Sequence, residues 1–320
     1  MNRLPLISGR GLDDVLAWRP AGPVTVREFL ADAQSVAAVL PAGDGVINLC
    51  EDRYHFAVLF AACLLSGKTS LQPASHSAET LQRLALDRPG AFGVVDGAFE
   101  SAGLVCIDFP DLATLPRPQV LDMPTVDADR VVAILFTSGS TGLPQPHAKT
   151  WGRLVQNGRA EAVGLGLLDR PPVLVGTVPA QHSYGFESTF LMALHGGCSF
   201  WSGKPFYPQD VVDALNAVPR PRMLVTTPYH LSALLASDLA WPALDTCLSA
   251  TAPLGAELAA RAEARGGAPV HEIYGSTESG QLACRRTTDG PLWQLLPGVV
   301  LEQENDTTYA REGHVEGRVP

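Results

Sequence analysis

Phe136-Thr137-Ser138-Gly139-Ser140-Thr141-Gly142-Leu143-Pro144 follows directly on Val131-Val132-Ala133-Ile134-Leu135. Five consecutive apolar residues read as a strand buried on both faces, the pattern of a parallel sheet. A strand that empties into glycines and hydroxyls sets backbone N–H groups and short donors at its carboxyl end. Open α/β sheets bind phosphates there. Gly139 and Gly142 permit close approach and unusual φ, and Ser138, Ser140 and Thr141 supply side-chain donors. Taken alone, the stretch also fits an ordinary Ser/Gly surface loop.

The sequence around it alternates short apolar runs with amphipathic stretches, which predicts βα units and a mainly parallel sheet. Thr25 and Glu28 form a capping box opening a helix over 25–40. Strands are expected at 46–50, 92–96 and 104–109, with a buried helix at 54–66 closed by Gly67. Residues 110–130, rich in Pro and Asp, read as a connector. Beyond the phosphate-loop candidate, helices are expected at 150–168, 186–195, 210–218, 229–236 and 254–265. Strands are expected at 173–178, 198–201, 223–227, 246–250 and 270–274. After Gly280 the short polar and apolar alternation predicts antiparallel β structure. The expected fold is therefore α/β, with two mainly parallel doubly wound sheets and the start of a small antiparallel β subdomain. The expected divisions are 1–128, 129–280 and 281–320.

Composition narrows the function classes. Of 320 residues, 46% are hydrophobic and 18% charged, so the chain has the makings of a large core. A formal charge of −10 argues against a general nucleic-acid binder. No apolar run approaches the roughly 18 residues that span a bilayer, so no stable membrane insertion is expected. The N-terminus lacks a signal-peptide pattern. Six single cysteines, none in a C-x-x-C pair, read as reduced buried thiols of a cytoplasmic protein.

Three other predicted strand exits carry reactive or small residues. Val178 to Gly185 places His182 beside Tyr184 and Gly185. Ser249-Ala250-Thr251-Ala252-Pro253-Leu254-Gly255 offers small residues on which a flat ring can lie. Ile273-Tyr274-Gly275-Ser276-Thr277-Glu278-Ser279-Gly280 sends out an aromatic, two hydroxyls and a carboxylate. Tyr274 can stack on a base, Thr277 can donate to a phosphate oxygen, and Glu278 is a hard ligand for Mg²⁺ shared with phosphates. Each segment alone fits an ordinary turn. All four share one topological place, the exit of a strand.

In that order, T-S-G-S-T-G-L-P, P-A-Q-H-S-Y-G, S-A-T-A-P-L-G and Y-G-S-T-E, the segments resemble the acyl- and aryl-acid adenylating (AMP-binding) superfamily. That superfamily includes acyl-CoA synthetases, nonribosomal-peptide adenylation domains and luciferases. The resemblance covers about residues 25–300. It implies that Thr137 to Gly142 cradle the β- and γ-phosphates of ATP. Ser249, Thr251, Ala252, Pro253, Tyr274, Gly275 and Ser276 would surround the nucleotide, Thr277 would touch the α-phosphate, and Glu278 would bind Mg²⁺. His182 would gate the acid and thiol channels, and Ile273, Gly275 and Gly280 would line the acid pocket. The implied reaction joins a carboxylic acid to AMP, then transfers the acyl group to CoA or to the phosphopantetheine of an acyl carrier protein. The stretch 144–151 resembles smaller synthetases of aryl-polyene pigment pathways.

Three departures stand out. Gln145 occupies the position of the usual loop Lys, with His147 and Lys149 nearby. Thr251 replaces a frequent Gly. The family's C-terminal lid domain, with its catalytic Lys, is expected to be missing after Pro320. The chain then reads as the large domain of a longer enzyme, with little activity alone. Two rivals are a P-loop NTPase, which lacks its G-x-x-x-x-G-K-S/T signature here, and a noncatalytic nucleotide- or acyl-binding module.

Overall fold

The structure, a computed structural model, describes residues 2–73, 75–100, 103–137 and 145–320. The phosphate-loop residues Ser138, Gly139, Ser140, Thr141 and Gly142 lie outside the described residues. The chain divides into two compact units, 1–15 with 24–152, and 16–23 with 153–320.

The first unit is built on a six-stranded sheet in the order Pro146–Thr150, Val131–Phe136, Thr69–Gln72, Gly45–Asn48, Phe92–Val95, Cys106–Asp108. All neighbours are parallel except the first pair. The chain enters at the central Gly45–Asn48 strand, steps to one side through the helix Arg53–Leu65, then crosses to the other side at Phe92–Val95. That reversal makes the sheet doubly wound. The helix Val26–Val39 opens with the expected capping box, Thr25 accepting from Glu28 N and Glu28 accepting from Thr25 N. A cap of this kind stabilises a helix by about 1 kcal/mol. The helix Arg53–Leu65 packs against it, with Phe56, Phe60 and Tyr54 fully buried. Below the sheet, Ile47, Leu71, Leu81, Leu84 and Ile134 form one continuous core.

Residues 129–152, which the sequence assigns to the second subdomain, fold with the first sheet. Val131–Phe136 hydrogen-bonds in parallel to Thr69–Gln72, and Pro146–Thr150 returns antiparallel beside it. The connector 110–130 contains a strand, Thr125–Asp127, paired with Arg3–Pro5.

The second unit carries a nine-stranded sheet: Gln294–Leu295, Gly280–Arg286, Val270–Ser276, Thr246–Ser249, Arg222–Thr226, Val173–Gly176, Ser199–Trp201, Val15–Arg19, Gly22–Thr25. The run from Val270–Ser276 to Val15–Arg19 is parallel, and the Gly280–Arg286 and Gln294–Leu295 strands are antiparallel. Val175, Leu224, Leu231, Leu215 and Ala259 fill the layer between sheet and helices. The small antiparallel sheet comprises Val300–Glu304, Thr307–Arg311 and Arg318–Val319. It therefore begins after the strands at 280–295, which belong to the large sheet.

All six cysteines are free thiols, and Cys50, Cys63, Cys198, Cys247 and Cys284 are buried. Burial pushes the Cys63 and Cys247 thiols up to about 12, so both stay protonated and inert. Among the described residues, no helix is long and apolar enough to cross a membrane.

Candidate active site

The second unit holds a cleft of about 570 Å³ at the carboxyl ends of its parallel strands. That volume lies within the range of small-molecule sites. Two predicted segments form it. One is the turn Ala250 to Pro253 after Thr246–Ser249. The other is Glu272 to Glu278 at the end of Val270–Ser276.

The local folding explains the second segment's presentation. Val270–Ser276 and Gly280–Arg286 form a hairpin whose register slips at Tyr274/Gly275, a bulge. The turn is closed by reciprocal serine bonds. Ser276 N donates to Ser279 Oγ at 3.2 Å, Ser279 N donates to Ser276 Oγ at 3.2 Å, and the two hydroxyls lie 3.1 Å apart. Thr277 and Glu278 ride at the tip of this closed turn. Gly275 is required by packing, since a Cβ there would stand 2.2 Å from Gly280 O. Tyr274 is 61% exposed and its ring lies 5.8 Å from that of Trp293, a pair of flat faces on one wall.

The first segment has a strained turn. Thr251 has φ +77°, a left-handed conformation that a β-branched residue rarely adopts. Glycine fits that conformation without strain, so the geometry accounts for the Gly that Thr251 replaces.

The His182 segment reaches the same cleft. His182 precedes the helical stretch Ser183–Gly185, which continues as a π-helical turn at Phe186–Leu191. Ser183 and Tyr184 line the cleft. Tyr184 is buried and donates from its hydroxyl to Leu248 O at 3.1 Å, pinning this helix start to the Thr246–Ser249 strand, two strands away in the sheet. Gly185 permits the approach, because a Cβ there would meet Pro179 O at 2.0 Å. Thr277 Oγ1 donates to Ser183 Oγ at 3.3 Å. Desolvation and the Lys204 ammonium hold the His182 imidazole below its usual range, so the neutral form dominates at pH 7.

The predicted residues thus fall into three groups. Thr251, Ala252, Pro253, Ile273, Tyr274, Gly275, Ser276, Thr277 and Glu278 line one cleft. Ser249 is fully buried at the end of its strand, and Gly280 is buried with φ +72°, packed towards Asn157 and His314. Neither of these two lines the cleft, and nor does His182, although its neighbours Ser183 and Tyr184 do. Thr137 belongs to the first unit, where its N–H donates to Gln145 O at 3.1 Å.

Sequence reasoning missed Glu272, Arg285 and Trp293, which also line the cleft. Glu272 and Arg285 sit on a period-2 hairpin with no motif to single them out. Trp293 follows a Gly-Pro turn, where an isolated aromatic carries no periodic signal. Among the described residues, no three His, Cys, Asp or Glu side chains converge as a metal-binding group. Glu278, half-buried at the turn, fits the other pattern, in which one carboxylate shares Mg²⁺ with phosphates.

Comparison with known proteins places the chain. The family profile described as "AMP-binding enzyme" matches residues 14–307. The 4-coumarate–CoA ligase of Rhodobacter capsulatus is 29% identical over 180 residues, covering 56% of this chain and 46% of that protein. The 4-coumarate–CoA ligase of Halorhodospira halophila is 33% identical over 162 residues, covering 50% and 39%. The chain therefore spans less than half the length of these two relatives. Among solved structures, the o-succinylbenzoate coenzyme A synthetase of Bacillus subtilis in complex with ATP and magnesium ion superposes with a TM-score of 0.82. It is 19% identical, and the match covers 98% of this chain and 72% of that one. ATP-bound MatB from Rhodopseudomonas palustris gives a TM-score of 0.78 at 21% identity, covering 95% and 68%. Both share the fold.

Proposed function

This chain belongs to the AMP-binding enzyme family, and from that premise we propose that it carries the acid-activating part of an AMP-forming acid–thiol ligase. The observation that carries the reading is the single cleft lined by both the Ala250–Pro253 turn and the Tyr274–Glu278 segment. Small residues on one side and exposed aromatic faces on the other suit a purine. Thr277 and Glu278, one step along the same wall, suit its phosphates. The substrate is a carboxylic acid of the aryl or fatty acyl class, and the relatives named for 4-coumarate and 2-succinylbenzoate support the aryl side of that class.

A carboxylate oxygen of the acid attacks the α-phosphorus of ATP. The P–O bond to the β-phosphate breaks, and pyrophosphate leaves. A thiol then attacks the acyl carbon, loses its proton and releases AMP. The thiol belongs to CoA or to a carrier-protein phosphopantetheine. Such a reaction needs no covalent nucleophile from the protein, only positioning and charge stabilisation. A bound Mg²⁺ would neutralise phosphate charge, with Glu278 as its protein ligand. Thr277 touches the α-phosphate with its hydroxyl oxygen close by. Neutral His182 stands beside Ser183 as the gate, and the 137–142 segment is the phosphate loop. The protein works in the cytoplasm, a reading supported by six cysteines with no disulfide among them.

A second reading is a noncatalytic nucleotide- or acyl-binding module. Gln145 favours it, since a neutral amide stabilises phosphate less than the usual Lys. ATP–pyrophosphate exchange with a panel of aryl and fatty acids separates the two. Exchange with at least one acid establishes the ligase reading. ATP binding with background exchange for every acid establishes the module. Glu278→Gln is expected to weaken Mg²⁺-dependent ATP binding about tenfold, the equivalent of ~1.4 kcal/mol, while the unfolding midpoint stays unchanged. A collapsed midpoint with unaltered ATP affinity would remove Glu278 from the site.

A further inference from the structure

The cleft wall contains an ion pair that no motif announces. Glu272 is 4% exposed, yet its carboxylate is surrounded by donors from three separate elements. Leu254 N donates to Oε1 at 2.8 Å. Arg285 Nε donates to Oε2 at 2.7 Å, and Arg285 Nη2 lies 2.6 Å away. Thr287 Oγ1 donates to Oε2 at 3.0 Å. Leu254 closes the Ala250–Pro253 turn, Arg285 lies on the returning hairpin strand, and Glu272 lies two residues before Tyr274. The guanidinium of Arg285 then stacks over the Trp293 ring at 4.5 Å. Trp293 in turn faces Tyr274.

One buried carboxylate therefore fixes both sides of the cleft: the turn through its backbone, and the aromatic wall through a guanidinium. A buried ion pair is weak support for stability, since an apolar replacement of similar shape often serves as well. What this pair supplies is a fixed distance between turn and wall. Fixing it before the ligand arrives lowers the ordering cost of binding.

We infer that Glu272 is a positioning residue for the nucleobase, setting the gap between the Thr251–Pro253 turn and the Tyr274–Trp293 wall through Leu254 and Arg285. The inference rests on the reading above that this cleft takes a nucleotide.

Calorimetric titration of the protein with AMP and with Mg²⁺–ATP tests it. Glu272→Gln keeps an acceptor for Leu254 N–H but removes the charge that holds Arg285. The dissociation constants for AMP and Mg²⁺–ATP are expected to rise together, about tenfold, with the number of sites unchanged. A merely structural role would lower the number of binding-competent molecules and leave the dissociation constant of the remainder as it was. That result overturns the inference, as does an unchanged affinity at full occupancy. Should Glu272→Gln fail to fold, Arg285→Lys decides, since it leaves a cation to pair with Glu272 but removes the guanidinium face that lies over Trp293. A several-fold loss for both nucleotides upholds the inference, and no loss sinks it. Wild-type protein that binds neither nucleotide would defeat the functional reading, and the inference with it.

Discussion

Thr277 Oγ1 lies 3.3 Å from Ser183 Oγ, although 94 residues separate them along the chain. The bond ties the tip of one hairpin to the first turn of a helix on a different strand of the same sheet. It couples the residue proposed to touch the α-phosphate with the segment that carries His182. The pair is partly exposed, so its loss should cost well under about 1 kcal/mol of stability. Its effect on catalysis should be larger, because a freed Thr277 hydroxyl samples other rotamers. Ser183→Ala is expected to leave the melting temperature within about 2 °C while pyrophosphate exchange falls several-fold, on the scale of ~4–8 °C per kcal/mol for small domains and less for larger ones. Unaltered exchange would show that the bond plays no part in aligning Thr277.

Thr251 predicts a stabilising substitution inside the cleft. A non-glycine residue held at positive φ costs about 1–3 kcal/mol, and Thr251 sits at φ +77°. Glycine removes that strain but adds unfolded-state entropy worth roughly 0.5–1 kcal/mol. The net expectation for Thr251→Gly is a gain of up to ~1–2 kcal/mol from the difference of these two effects. Denaturant unfolding reads it directly. A loss instead would mean that the Thr251 side chain makes compensating contacts.

Gly275 tests whether the hairpin bulge is a packing requirement. A Cβ there would stand 2.2 Å from Gly280 O and 2.7 Å from Gln281 Cα, both backbone atoms that cannot rotate away. Gly275→Ala is expected to destabilise by about 2–3 kcal/mol, the range of overpacked sites. At Gly255 a Cβ meets nothing within 4 Å, so Gly255→Ala serves as the comparison and should cost only a few tenths to ~1 kcal/mol as a lost helix-cap preference. Equal effects at both positions would show that the hairpin yields.

The sequence made the local signals legible. The Thr25–Glu28 box, the strand preceding Thr137 and the Tyr274–Glu278 exit are short-range patterns, and each lies where its chemistry places it. Partners distant along the chain were not legible. Val15–Arg19 joins the second unit's sheet by pairing with Ser199–Trp201, and nothing within either strand encodes the other. The Val131–Phe136 strand belongs to the first sheet for the same reason. Its mate Thr69–Gln72 lies far upstream, and the Pro-rich stretch before it looks like a boundary although contacts cross it. The site followed this division. Motif residues at strand exits were found, whereas Glu272, Arg285 and Trp293 act through tertiary contacts that no spacing reveals. Of the two glycines expected to line the pocket, Gly275 does line the cleft and is also required there by packing, whereas Gly280 is buried against Asn157 and His314.

A buried carboxyl gives the protein a predictable pH dependence. Glu161 is fully buried in the helix Trp151–Gly164. Desolvation, with a smaller contribution from Glu187, pushes its carboxyl up to about 8, against the favourable hydroxyl of Ser188. Between the ordinary carboxylate value and pH 8, the folded chain keeps a proton that the unfolded chain has released. Folding is therefore linked to proton uptake, and stability falls as pH rises through that window. A shift of this size corresponds to a loss on the order of 5 kcal/mol between about pH 4.5 and 8, at 1.36 kcal/mol per unit. His195, buried and driven down to about 3, works in the opposite direction, withdrawing stability as pH falls below its ordinary value. Glu161→Gln removes only the alkaline effect, since the amide stays neutral at every pH. Unfolding free energies at pH 6 and pH 8.5 should therefore differ by several kcal/mol less in the variant than in the wild type. At pH 8.5 the variant should be the more stable protein. If the two curves run parallel, Glu161 is already ionised in the native state and its proton plays no part in the fold.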